Sequence, residues 1–448
     1  MSVARLAGEL RARELSPREA VQFYLDRIER IDGAVNAYIT VRAEQALAEA
    51  DALEADVSVA AAERGPLWGV PVAIKDVIDV AGTRTTAASK ILSENVASRD
   101  ATAVEGLRRA GAVVLGKLNT HEFAFGAMTT SPHFGPAHNP WSLDRICGGS
   151  SGGSGAAAAA DLAAGTLGTD TAGSIRIPAC LCGVTGLRPS SGLVSNHGVV
   201  PVSWTFDTVG PIARSAEDCA LLLDAIAGTS VVVDGGMEGL RIGVVEALVD
   251  RADPRVAEVI RAGVATLAEL GATVEPVEVP MLAEAGTIKQ LQMLPEATNV
   301  HLEWMRTRLA DYGADVRARL LAGLFLPATA YVTGLRARRV YCDGVNRLFE
   351  RFDVLAAPAM PIVAPRIGEN EVELHGERTP FRLAVIPFNS PWSLAGLPVL
   401  SVPCGFVDGL PVGLALVGRR RAEETVLRAG HAFQRATDWH DRSPPDPV

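Results

Sequence analysis

Residues 148–155 read GGSSGGSG, eight positions with almost no side chain, set between Ile146-Cys147 and the alanine run that starts at Ala156. Glycine loses more conformational freedom on folding than any other residue. A chain that concentrates that cost in one place needs unusual torsions, a close approach of backbone, or both. Three simple readings fail. A phosphate-cradling G-x-x-x-x-G-K-[ST] loop needs a lysine where Ser154 stands. Gly149 to Gly153 formally fits the G-x-S-x-G nucleophile elbow, but that motif follows a strand, and Asn139–Arg145 reads as a loop. A flexible linker would not run directly into an apolar alanine helix.

Two other segments share its character. Gly168-Thr-Asp-Thr-Ala-Gly-Ser-Ile-Arg-Ile-Pro-Ala179 is a second small, turn-prone run with a serine, and it contains Asp170 and Arg176 as a charge pair. Upstream, Gly69-Val-Pro-Val-Ala-Ile74 reads as a buried strand ending at Lys75-Asp76. Burial disfavours a charged lysine and lowers its pKa, and a neutral lysine is a general base. By itself Lys75 reads as an ordinary ion pair with Asp76 or Asp79; beside two serine loops it reads as a base.

The surrounding pattern is α/β. Ser16-Pro17 is an N-cap and first-turn pair, followed by Val21, Tyr24, Leu25 and Ile28 on one helical face. A helix over 101–110 stops at Gly111 and leads into a strand over 112–115. A strand over 240–245, a helix over 254–270 and a strand over 272–279 repeat the alternation. This predicts a largely parallel or mixed sheet. No linker divides the chain, so a single domain over 1–448 is expected, with about 280–345 as a peripheral helical lobe.

The chain has 448 residues, 48% of them hydrophobic, with a net charge of −10. The negative balance argues against nucleic acid or an anionic membrane as partner. No apolar run approaches the length of a membrane span, and the N-terminus lacks the apolar core of a secretory signal. Six scattered cysteines without a C-x-x-C pair suit a reducing cytoplasm. His121-Glu122 begins like H-E-x-x-H, but Phe125 occupies the second histidine's place, and no metal or other cofactor is expected.

Lys75 in GVPVAIKD, Ser150 in GGSSGGSGAA and Ser174 in GTDTAGSIRIPA together resemble the amidase signature family of serine hydrolases. The resemblance extends over LGKLNTHEFAFG, CGVTGLRPSSGLVSNHGVVP, FDVLAAPAMP and LPVGLALVGRR. It implies that family's fold, a large mixed sheet with helices on both faces. It implies a Ser–cis-Ser–Lys triad: Ser174 as nucleophile, Ser150 as bridge, Lys75 as base. The N–H groups of Thr171, Ala172, Gly173 and Ser174 match the oxyanion hole, with Ser151, Asp170 and Arg176 in support. Ala172 departs from the family's more usual glycine. Ala124, Phe125, Gly126 and Met128 match the acyl-pocket loop, where small residues suggest room for a bulky group.

The implied reaction is hydrolysis of a C–N acyl bond in a small amide, carbamate (urethane) or ureido substrate, by a cytoplasmic protein able to work as a homodimer. Arg338 or Arg339, in a segment similar to carboxybiuret hydrolases, is a candidate clamp for a substrate carboxylate. The alternatives are the A subunit of a glutamine-dependent tRNA amidotransferase and a non-catalytic binding protein. The former carries an acid near D-x-F-T-x-P that holds glutamine, whereas Ile386-Pro-Phe-Asn-Ser-Pro-Trp392 has none.

Overall fold

The computed structural model describes residues 2–55 and 64–446. Helices α1 (Val3–Ala12), α2 (Pro17–Val35) and α3 (Ala43–Ala55) open the chain, with strand β1 (Tyr38–Val41) before α3. α2 begins where the sequence places it. The Ser16 side chain accepts from Glu19 N–H, Glu19 returns the bond to Ser16 N–H, and Pro17 fills the first turn. Val21, Tyr24, Leu25 and Ile28 are all buried.

Next come β2 (Pro71–Lys75), α4 (Thr102–Arg109) and β3 (Val113–Leu118). Two small hairpins follow, β4 (Thr130–Ser131) with β5 (Gly135–Pro136), and β6 (His138–Asn139) with β7 (Ser142–Ile146). The second corrects the expectation of a loop over 139–145. β6 is two residues long, and β7 carries Ser142, Asp144 and Arg145 with only Ile146 buried, so neither shows the apolar alternation by which a strand is recognised.

The middle of the chain is α5 (Gly152–Ala159), β8 (Gly165–Thr169), α6 (Arg176–Cys182), β9 (Thr185–Arg188), β10 (Val209–Ala213) and α7 (Ala216–Ala227). Then come β11 (Arg241–Val244), α8 (Glu246–Val249), α9 (Pro254–Glu269) and β12 (Thr273–Pro276), followed by three helices, α10 (Ala285–Arg308), α11 (Ala314–Leu324) and α12 (Ala328–Leu348). The last part is β13 (Val354–Pro358), the hairpin β14 (Glu371–Leu374) and β15 (Glu377–Pro380), α13 (Phe381–Ala395), β16 (Val399–Val407), β17 (Leu410–Gly418) and α14 (Glu423–Arg435).

Eleven strands form one mixed sheet in the order β1-β3-β2-β8-β10-β9-β16-β17-β13-β11-β12. β2 runs parallel to both β3 and β8, and β11 runs parallel to β12 and β13; the remaining pairs are antiparallel. Every residue of β2, β3, β8, β10, β13 and β17 is buried, which requires cover on both faces. Among the described residues, no single helix is long and apolar enough to cross a membrane. The six cysteines are unpaired, and only Cys342 is not fully buried.

One consequence of this order positions the site. β2 and β8 are parallel neighbours, with Ile74 opposite Leu167. Their carboxyl ends therefore emerge side by side, and the loops that follow them meet, as ligand-binding crevices in α/β sheets do.

Candidate active site

Lys75 is the last residue of β2 and is wholly buried. Its Nζ lies 2.7 Å from Ser150 Oγ and 2.8 Å from Thr169 Oγ1, at the end of the neighbouring strand. Burial pushes the amine down to about 7, against the opposing fields of Asp170 and Asp207. Near neutral pH a large fraction of Lys75 is thus uncharged and able to accept a proton.

Ser150 sits just ahead of α5, in a loop whose Gly149–Ser150 peptide is cis. Its carbonyl accepts from His121 N–H, Thr120 Oγ1 and Thr129 Oγ1, three bonds that fix the loop. Ser151 ties the same loop to β8. Its hydroxyl donates to the Thr169 carbonyl and accepts from Thr169 N–H, both at 3.2 Å.

Ser174 follows β8 in the turn before α6. Its carbonyl accepts from Ser151 N–H at 3.2 Å, so the two serine loops are bonded to each other. No hydrogen bond joins the Ser150 and Ser174 hydroxyls, and catalytic bonds often tighten only when substrate is bound. Ser174 is 8% exposed, whereas Lys75 and Ser150 are at 0%. Ser174 thus reaches the cavity, while Ser150 and Lys75 lie wholly buried.

The turn is organised by Asp170. Its carboxylate accepts from the N–H groups of Gly173 and Ile175, and from Arg176 Nε and Nη2, both at 3.0 Å. Arg188 adds a bond at 3.1 Å, and all three side chains are buried. Burial alone would raise the Asp170 pKa; Arg176 and Arg188 outweigh it and hold the carboxyl well below the usual range. This network revises the expected oxyanion donors. The Gly173 amide is already committed to Asp170 at 2.8 Å. Among the described residues, the amides of Thr171, Ala172 and Ser174 have no acceptor. Gly173 has φ +119°, in the region that favours glycine, while Ala172 lies outside it. An alanine is therefore compatible with the turn.

Ser174 opens into a cavity of about 60 Å³, lined also by Ala124, Phe125, Gly126, Thr171 and Ala172. Three expectations change here. The cavity is far smaller than the roughly 300–1,000 Å³ of most ligand pockets, and Phe125, Ile177, Met293 and Val385 are among its walls. It does not offer room for a bulky group. Met128 is not on its wall, where Ala127 stands instead. Arg338 is not there either. Its Nε donates to the Leu394 carbonyl at 2.9 Å and its guanidinium lies 4.8 Å over the Phe206 ring, so packing of α12 on α13 occupies it. Arg339 lines a separate surface depression with Thr333 and Arg336.

The cavity's other polar groups went unread in the sequence. Gln290 from α10, Arg319 from α11 and Arg382 from α13 line it. None of the three belongs to a local motif, and only the fold assembles them. Thr169 did carry a signal, as the strand-end residue directly before Asp170. Lys289 was also missed. It is fully buried against Met293 Sδ and the Phe206 ring, and burial, with Arg188 next, pushes it down to about 7. Among the described residues, no cluster of three or more His, Cys, Asp or Glu could hold a metal ion.

Comparison with known proteins gives the family. A family model described as Amidase matches residues 19–427. The A subunit of the glutamyl-tRNA(Gln) amidotransferase of Roseiflexus sp. (strain RS-1) is 40% identical, over 97% of this chain and 96% of its own. A solved structure described as an unexpected vestigial protein complex revealing the evolutionary origins of an s-triazine catabolic enzyme is 38% identical. It superposes with a TM-score of 0.92 over 97% of this chain and 98% of that one. A bacterial aryl acylamidase described as belonging to the amidase signature enzymes is 26% identical, with a TM-score of 0.89 over 100% and 99%.

Proposed function

The chain belongs to the amidase signature family, and from that membership we propose that it hydrolyses the C–N acyl bond of a small amide through an acyl-enzyme on Ser174. The observation that carries this reading is the contact of buried Lys75 with Ser150 Oγ at 2.7 Å, with Ser174 beyond it at the cavity wall. A serine hydroxyl is a weak nucleophile without a base in reach. In the proposed sequence Ser174 Oγ attacks the carbonyl and gives its proton to Ser150, whose own proton passes to neutral Lys75. The amides of Thr171, Ala172 and Ser174 stabilise the oxyanion. Collapse breaks the C–N bond, and the proton returns along the same path to the departing amine. Water then adds to the acyl-enzyme by the reverse relay and releases the acid. Carbamates and ureido compounds fit the same steps.

A second reading keeps the chemistry and changes the setting: the A subunit of a glutamine-dependent tRNA amidotransferase, passing ammonia from glutamine to a partner. The 40% identity over nearly the whole length of a relative so named favours it. Against it, Ile386 lines the cavity and, among the described residues, no Asp or Glu does, which leaves the ammonium of glutamine without a counter-charge there.

Turnover of an anilide, a primary aliphatic amide, an aryl carbamate, a ureido acid and glutamine tests both readings, with Ser174→Ala as control. The variant should lose several decades of activity. Retention of more than about one per cent would overturn the nucleophile assignment. Turnover of glutamine alone would select the amidotransferase reading.

A further inference from the structure

Phe125 stands on the wall of the cavity beside Ser174, in a loop whose backbone is strained. Phe123 and Ala124, just before it, have φ of +49° and +55°, a region that residues with a Cβ rarely adopt. Such torsions persist only where the surroundings impose them. Here the contacts come from α11 and the turn before it. The Glu122 carboxylate accepts from Gly313 N–H at 2.8 Å, just ahead of that helix. His121 Nε2 lies 2.9 Å from Asp315 Oδ2. Asp315 pairs with Arg319 one turn further on, and Arg319 Nη1 donates to the Phe125 carbonyl. The circuit leaves the loop at His121 and returns to it at Phe125.

The circuit bears on the cavity itself. The Arg319 side chain is 18% exposed. Its guanidinium lies 5.1 Å over the Phe125 ring as well as bonding the Phe125 carbonyl. Its other nitrogens are engaged too, Nε with the Asp315 carbonyl at 3.2 Å and Nη2 with the Asp315 carboxylate. Arg319 is thus a brace, its donors already spent within the protein. On the other side Gly126 lies against the His121 ring, where a methyl group would come within 2.3 Å of Cδ2 and Nε2. Phe125 is therefore fixed twice, at its own carbonyl by Arg319 and through the next residue by His121. His121 N–H also donates to the Ser150 carbonyl at 3.1 Å, so the cavity wall and the triad loop are set by one residue.

We propose that Arg319 is a positioning residue for acyl selectivity: by holding Phe125 in the cavity wall, it limits the acyl group accepted at Ser174 to a short chain. The cavity of about 60 Å³ is the braced state. Without the brace the strained turn relaxes, the ring leaves the wall, and longer acyl groups enter. The inference rests on the reading of Ser174 as the residue that is acylated, and its test is kept separate from that reading.

p-Nitrophenyl acetate and p-nitrophenyl hexanoate share a leaving group and differ only in the acyl chain. The ratio of their kcat/KM values, acetate over hexanoate, reads the size of the cavity. Arg319→Met keeps a long side chain and removes the donors; it should lower the ratio by about tenfold or more. Arg319→Lys can still donate to the Phe125 carbonyl and should recover part of the ratio. Phe125→Ala should lower the ratio as well, and adding Arg319→Met to it should change the ratio no further. Asp315→Asn, at the exposed end of the circuit, should lower it by less, and it decides the matter if circular dichroism shows Arg319→Met to be unfolded. A loss on both esters in proportion, which leaves the ratio unchanged, would reduce Arg319 to a structural role and overturn the inference. Full additivity in the double variant would overturn it too. Failure of the nucleophile reading shows separately, as ester hydrolysis that survives Ser174→Ala, and absence of ester turnover in every protein would overturn both.

Discussion

Lys75 answers to two opposed demands, because a base must shed its proton to work and a lysine in water holds it to a pKa of about 10.4. Burial resolves the conflict by bringing the amine down to about 7. The proposed reaction should therefore speed up as pH rises through 7, where the neutral fraction grows. An anilide pH profile with an acid limb near 7 is expected, and a decline over that range would contradict a lysine base. Stability follows the same proton. The folded-state pKa lies below the unfolded one, so the penalty of burying the charge is full below pH 7. It fades between about 7 and 10.5 and is absent above. The stability of wild type relative to Lys75→Met, from urea unfolding, should rise over that window; a flat difference would mean that Lys75 titrates normally. The lysine was legible in the sequence because a strand ended on it. Lys289, with the same burial, was not, because one lysine in a helix reads as solvated surface.

α5 shows what the glycine run is for. Of the glycines from 148 to 155, only Gly148 has a positive φ, at +76°. The others are places where a methyl group would strike something. At Gly153 it would meet Asn119 N and O and Ala37 O at 2.5–2.6 Å. At Gly152 it would meet Thr129 Oγ1 at 2.5 Å. The run lets α5 lie against the end of β3 and so carries Ser150 to Lys75. Gly153→Ala should cost about 1–3 kcal/mol as an overpacked contact, seen as a lower urea midpoint, and should reduce activity with it. An unchanged midpoint would show that the loop yields freely. The sequence revealed that this segment was special, but not which atoms it had to approach, since those belong to Asn119 just after β3, to Thr129 and to Ala37 before β1. For the same reason the segment of about 280–345 read as a peripheral lobe, whereas Gln290, Met293 and Arg319 from it reach the cavity.

The class of fold was legible from alternating strands and helices, and the strand order was not. β16 pairs with β9, Val399 opposite Arg188, although all the strands from β10 to β15 lie between them in the chain. No local pattern encodes such a crossover. What ties the distant parts together is more visible. Asp170 holds Arg176 and Arg188, and Arg176 reaches on to the Asn389 carbonyl and Ser393 Oγ of α13. Removing one partner of a buried ion pair costs roughly 3–5 kcal/mol. Asp170→Ala should lose stability of that order in chemical denaturation; a loss below about 1 kcal/mol would show that the two arginines find other partners. The depth profile of the site has its own consequence. Ser174 has slight exposure and Ser150 and Lys75 have none, so an acyl group on Ser174 would act as a stopper over the two groups behind it. In the proposed reaction the proton stored on Lys75 then has one recipient, the nitrogen about to leave, and bulk water regains the relay only after that nitrogen has gone.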